Sequence, residues 1–155
     1  VQMALPDHVL SSPDAFRAME VEFGERIVLL GYQPELMEGE LLSTLYWQAE
    51  RLLDQNWTVF VHLLNEGGGL VAQRDAQPRD GRYPTSVWDQ GEVVDDDHRL
   101  ALPVDLPNGD YQVVVGLYSV ESGERLPVLD SERNLAGNSL PLVTLTHSDG
   151  EWQIK

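Results

Sequence analysis

Apolar positions recur at every second residue through most of this chain, which is the period of a β-strand rather than of a helix. Residues 57–64 set Trp57, Val59, Val61 and Leu63 against Thr58, Phe60, His62 and Leu64. Both faces are largely apolar, as suits a strand covered on two sides. The turn Glu66-Gly67-Gly68-Gly69 then leads into a second strand ending near Asp75, so residues 57–75 read as a hairpin at the centre of the fold. Residues 41–50 alternate Leu41, Ser43, Leu45, Trp47 and Ala49 with a more mixed face, and their Thr, Tyr and Trp content favours strand over helix. Tyr111, Val113, Val115 and Leu117 form the inward face of a further strand after Pro107-Asn108-Gly109, and residues 141–155 read as a last hairpin turning at Asp149-Gly150.

Between these runs the chain is punctuated by turns. Gly-Glu occurs at residues 24, 39, 91, 123 and 150, each time ahead of an extended segment. Glycine there supplies the positive φ that closes a turn. Gly24-Glu25 is expected to bend a strand at a bulge, and Arg125 to Leu129 to form a short strand. Residues 1–20 read as a lead-in with a short helix-permissive patch, Ser12 to Met19, capped by Ser12 or Asp14. Residues 21–155 are the single domain. About eight to ten short strands without a long helix predict an all-β fold, an antiparallel sandwich of immunoglobulin-like or jelly-roll type. Tyr111 is placed as a tyrosine corner, its hydroxyl tying strand to loop.

Length and composition narrow the function classes. At 155 residues with 42% hydrophobic content, the chain has enough apolar material for one packed core. The net charge of −16, from 10 basic and 26 acidic residues, argues against nucleic acid and anionic membrane surfaces as partners. The lack of cysteine removes disulfides, thiolate metal sites and thiol catalysis. No apolar run approaches the ~20 residues of a membrane-spanning helix. The opening on Val1, without a signal-like segment, reads as a piece of something longer.

Residues 77–91 form an excursion too long for a simple turn. Within it Tyr83 and Trp88 are candidate sugar-stacking rings, with Asp75, Gln77, Arg79 and Asp89 supplying hydrogen bonds. The competing reading has Trp88 pinning the loop to the sheet, as large aromatics do wherever they can pack. In the run Asp95-Asp96-Asp97-His98, alternation puts Asp95 and Asp97 on one face and Asp96 and His98 on the other. Asp95 and Asp97 could start a calcium site, completed by Asp75, Asp80 or Asp89; they equally suit an acidic edge strand that resists pairing with another sheet. His62 reads as a buried, hydrogen-bonded histidine, the alternative being zinc held by His62, His98 and Asp75. Asn56-Trp57-Thr58 matches a glycosylation sequon, while no nucleophile elbow, P-loop or dinucleotide fingerprint occurs.

The segments YWQA, TVFVHLLNEGGGLVAQRDAQP and LPNGDYQVVVGLYSVESGERLPV, together with the Tyr-Pro-Thr-Ser-x-Trp loop, carry a resemblance. They resemble a β-sandwich domain at the extracytoplasmic end of large bacterial membrane proteins of the dolichyl-phosphate-mannose mannosyltransferase-like class. The likeness runs from about Phe23 to Leu145. It implies an accessory, non-catalytic sandwich outside the transferase active site, whose partner is the rest of its parent protein. Similar strands occur in sandwich domains appended to carbohydrate-active enzymes, so the alternative it implies is a carbohydrate-binding module for a cell-surface glycan. No cofactor is expected, apart from the possible calcium.

Overall fold

The structure, a computed structural model, describes residues 16–130, 132 and 134–155. Among these, two five-stranded antiparallel sheets pack face to face. The first contains β1 (Arg17–Phe23), β2 (Ile27–Met37), β3 (Glu40–Ala49), β6 (Val93–Ala101) and β8 (Val128–Leu129), in the order β6-β3-β2-β1-β8. The second contains β4 (Trp57–Leu64), β5 (Leu70–Ala76), β7 (Gly109–Ser119), β9 (Leu140–Ser148) and β10 (Glu151–Ile154), in the order β10-β9-β7-β4-β5. The fold is the all-β sandwich that the alternation predicts. No helix among the described residues is long and apolar enough to cross a membrane.

The core lies between the sheets. Leu41, Leu45 and Trp47 of β3 meet Trp57, Val59, Val61 and Leu63 of β4 and Val113, Val115 and Leu117 of β7, all buried. Tyr111 closes one end, donating its hydroxyl to the carbonyl of Pro107 at 2.7 Å, as the tyrosine corner requires.

Three local expectations are corrected. Gly24-Glu25 is not a bulge but the turn of the β1–β2 hairpin, with Phe23 opposite Ile27 and both turn residues at positive φ. The bulge lies later, at Leu29 to Gly31, where the register of β2 against β3 shifts. This slip lets Ile27 and Leu29 before it and Tyr32 after it all face the core. The first strand begins at Arg17, inside the expected lead-in, so Arg17 to Met19 are extended rather than helical; Ser12 and Asp14 lie outside the described residues. The expected strand from Arg125 shrinks to Val128–Leu129, with Arg125 making one bridge to Tyr118. Between these points the chain crosses from the second sheet to the first.

Two glycines on the outer faces act as seats for aromatic rings. Phe16 lies over Gly31 and meets Tyr46 edge-on at 5.2 Å, and Phe60 lies over Gly116 on the neighbouring strand. In each case a ring covers backbone that a side chain would otherwise occupy.

Candidate functional site

The edge strands β5 and β6 belong to opposite sheets yet lie against each other, and residues 77–92 connect them across the open side of the sandwich. The chemistry proposed from sequence concentrates here. Where each side chain goes is decided by β6, which alternates strictly between solvent and core from Val94 onward.

Asp96 and His98 point inward and are fully buried, with His98 Nε2 donating to Asp96 Oδ2 at 2.6 Å. Asp96 also accepts the indole N–H of Trp47 at 3.3 Å and the backbone N–H of Arg79 at 2.6 Å. A buried carboxylate needs such partners, because losing water costs it several kcal/mol, on the order of the penalty for any ion moved inside. One acid thus ties β3, β6 and the long loop together. His98 Nδ1 is buried without a hydrogen-bond partner. Nearby in the same sheet, Tyr32 and Ser43 share a hydrogen bond of 3.2 Å, and burial pushes the Tyr32 phenol up to about 12.

The bond to Asp96 holds an unusual corner. Arg79, Asp80 and Gly81 are consecutive residues at positive φ, and two of them carry side chains. Left-handed backbone at a non-glycine residue costs on the order of 1–3 kcal/mol and persists where the surroundings over-determine it. Here Arg79 is held at both ends. Its amide reaches Asp96, while its guanidinium donates to the Asp95 carbonyl at 2.8 Å and to the Asp95 carboxylate at 2.6 Å. The same guanidinium lies over the Tyr83 ring, 5.2 Å from its centroid.

The proposed stacking pair is engaged within the fold. Trp88 is only 2% exposed, belongs to the core cluster and donates its indole N–H to the Tyr83 carbonyl at 2.8 Å. It pins the loop and offers no face to a sugar, which corrects the stacking expectation for Trp88. Tyr83 is partly buried against Trp88, and its hydroxyl donates to both oxygens of Glu92 at 2.7 Å. That hydrogen bond, ahead of burial, raises the Tyr83 phenol above its ordinary value.

Asp95 and Asp97 share the outer face, as the alternation has it, but they are differently occupied. Asp95 pairs with Arg79, and Asp97 accepts from the Thr44 hydroxyl at 2.8 Å. Asp80 pairs with Arg74, and Asp75 lies on β5 beside Tyr118. No group of three or more acids or histidines is placed to hold a metal among the described residues. These residues do not fit the calcium that Asp95 and Asp97 suggest. Asp95 is paired with the Arg79 cation, and Asp97 accepts one neutral hydrogen bond from Thr44. Two carboxylates fall short of the roughly six to eight oxygens that calcium takes. The zinc set fails on topology. His98 is inside the sandwich, whereas His62 and Asp75 are on the outer face of the second sheet.

That outer face holds a second polar group. Tyr118 donates to Asp75 Oδ2 at 2.8 Å, and His62 Nε2 stands 3.5 Å from Asp75 Oδ1, too far for a good hydrogen bond. Phe60 packs beside His62, and Arg125 covers the Phe60 ring at 4.3 Å. Burial lowers the His62 pKa below the usual histidine value, with Asp75 opposing and Arg125 reinforcing the shift. His62 is therefore nearly buried as expected, but on the outer face of the sheet and without the expected hydrogen bond.

No family model matches the chain, and no curated protein matches it. Its reading rests on its own residues. Of the candidates, Gln77 is the one that lines a groove without a side-chain hydrogen bond of its own. It follows β5 and shares that groove with Gln55, Ser86 and Glu121 at the end of the sandwich where three connections meet. Sequence reasoning missed this groove, because its walls come from segments more than 20 residues apart. It also left open which face of β6 is inner. The signal was there, since Val94 and Leu100 share the parity of Asp96 and His98.

Proposed function

We propose that this chain is a non-catalytic β-sandwich interaction module of a larger, membrane-anchored bacterial surface protein, carried on its extracytoplasmic side. The observation that supports this reading best is how the long loop is used. Arg79, Tyr83, Trp88 and Glu92, the side chains most suited to chemistry in an exposed loop, all bond within the fold. Polar groups of a catalytic site are instead left facing a space where a reacting atom fits. A strapped sandwich with a strongly acidic surface suits a rigid spacer or docking unit, whose contacts come from its connections and outer faces.

The partner in this reading is the remainder of the parent protein. Amide hydrogen exchange compares the 155-residue chain alone with the same residues inside the full-length protein. A contiguous surface patch protected only in the full-length protein is the expected result. Identical exchange in both settings, with hydrolytic or transfer activity that changing His62 and Asp75 to alanine removes, contradicts it.

A further inference from the structure

The groove that Gln77 enters measures about 380 Å³ and is walled by three connections. Asp54 and Gln55 come from the β3–β4 connection, Gln77 and Ser86 from the 77–91 loop, Ser119 from the end of β7 and Glu121 from the turn after it. Its walls are fixed in place. The buried hydroxyl of Thr85 donates to the Gln55 carbonyl at 2.7 Å and accepts the Trp57 amide at 3.0 Å. Asn56 Oδ1 accepts the Ser86 amide at 3.1 Å. Three hydrogen bonds therefore clamp the first connection to the second, so a ligand entering the groove orders little that is not already ordered.

The lining selects a ligand class. Asp54, Gln77 and Glu121 make no side-chain hydrogen bond or ion pair among the described residues, and all three line the groove. A carboxamide donates and accepts, a carboxylate accepts twice, and a hydroxyl does both. Such a set matches a ligand bearing several neutral hydroxyls. An anion meets Asp54, Glu121 and a net charge of −16. A purely apolar ligand strips water from these groups without replacing its hydrogen bonds. Val120, 67% exposed on the groove wall, adds an aliphatic surface for the C–H face of a sugar ring.

We propose that this groove, rather than the Tyr83–Trp88 pair, binds a neutral oligosaccharide. The proposal rests on the interaction-module reading and adds a ligand to it. The test is an NMR titration of the ¹⁵N-labelled 155-residue chain with cello-, manno- and chito-oligosaccharides at millimolar concentration. At least one saccharide is expected to move the amides of Asn56, Gln77, Ser86 and Glu121. Gln77→Ala and Asp54→Ala each weaken that binding about tenfold, as loss of a hydrogen bond or two does, while Tyr83→Phe leaves it unchanged. Both substitutions are at the surface and leave the core intact.

The proposal is overturned if none of the saccharides shifts any amide, if the shifts fall outside the groove, or if binding survives the Gln77→Ala/Asp54→Ala double change. Protection of the groove by another segment of the full-length protein, with no saccharide binding, likewise overturns the sugar assignment. The interaction-module reading survives that last outcome, so the two ideas fail separately.

Discussion

His98 Nε2 stands 2.6 Å from Asp96 Oδ2 inside the sandwich, with both side chains fully buried. The pair lies on an edge strand, where the long loop closes over it. Asp96 completes its hydrogen bonds with Trp47 and with the Arg79 amide, so the loop becomes part of the interior's polar accounting. Removing one partner of such a pair strands the other. Asp96→Ala is expected to cost about 3–5 kcal/mol in urea denaturation. The double change Asp96→Val/His98→Leu recovers much of this, because a well-packed apolar pair replaces two buried polar groups. It does not recover the Arg79 amide bond, so a residue of about 1–3 kcal/mol remains.

The glycine seats give a second prediction. A Cβ added at Gly116 falls 2.2 Å from the Phe60 ring and 3.0 Å from the Asn138 carbonyl oxygen, and one added at Gly31 falls 2.2 Å from the Phe16 ring. Gly116→Ala and Gly31→Ala are each expected to destabilise by about 1–3 kcal/mol through overpacking. In a double-mutant cycle, Phe60→Ala is expected to relieve part of the cost of Gly116→Ala, the signature of a direct clash. Additive effects contradict the packing described.

The pH dependence follows from His62. Its folded-state pKa is lowered from the usual 6.5, chiefly by burial, so the unfolded chain takes up this proton more readily than the folded one. The His62 contribution to stability is therefore fully present above pH 6.5 and is lost as pH falls through the lowered folded value. The groups facing His62 are Asp75, Phe60 and Arg125, with Tyr118 hydrogen-bonded to Asp75. Chemical denaturation between pH 7.5 and pH 5 is expected to show a decline that His62→Gln flattens. An unchanged slope in that variant contradicts the assignment.

The alternation made the sandwich, the β4–β5 and β9–β10 hairpins and the tyrosine corner legible, because each depends on local spacing, although both hairpins end on an edge strand rather than at the centre of the fold. The five Gly-Glu turns were legible for the same reason, and all five glycines have φ between +61° and +85°. The slip at Leu30 was not, since a bulge exchanges inner and outer positions without any mark in composition. Charge also misleads on β6. Both faces carry acids, and only Val94 and Leu100 reveal that Asp96 and His98 go inside. Of the candidate site residues, Gln77 alone lines the end groove. That arrangement depends on which connections meet at one end of the sandwich, and residue spacing carries no such information.

Calcium gives a further check. Asp95 is paired with Arg79 and Asp97 with Thr44, and no third ligand joins them among the described residues. The melting temperature is expected to be the same in calcium and in a chelator. A rise with calcium that Asp97→Asn abolishes contradicts this arrangement.

Trp88 concentrates the central claim, that residues 77–91 are a structural strap. Trp88→Ala is expected to cost about 3–5 kcal/mol, so loss of ligand binding in that variant alone says little about contact with a ligand. The most direct measurement is hydrogen exchange of the Trp88 indole N–H, which donates to the Tyr83 carbonyl inside the fold. Exchange as slow as the core amides of Val61 and Val115, and equally sensitive to urea, is the expected result. Fast exchange independent of urea means the loop opens while the sandwich stays folded, and contradicts a strap locked by Asp96.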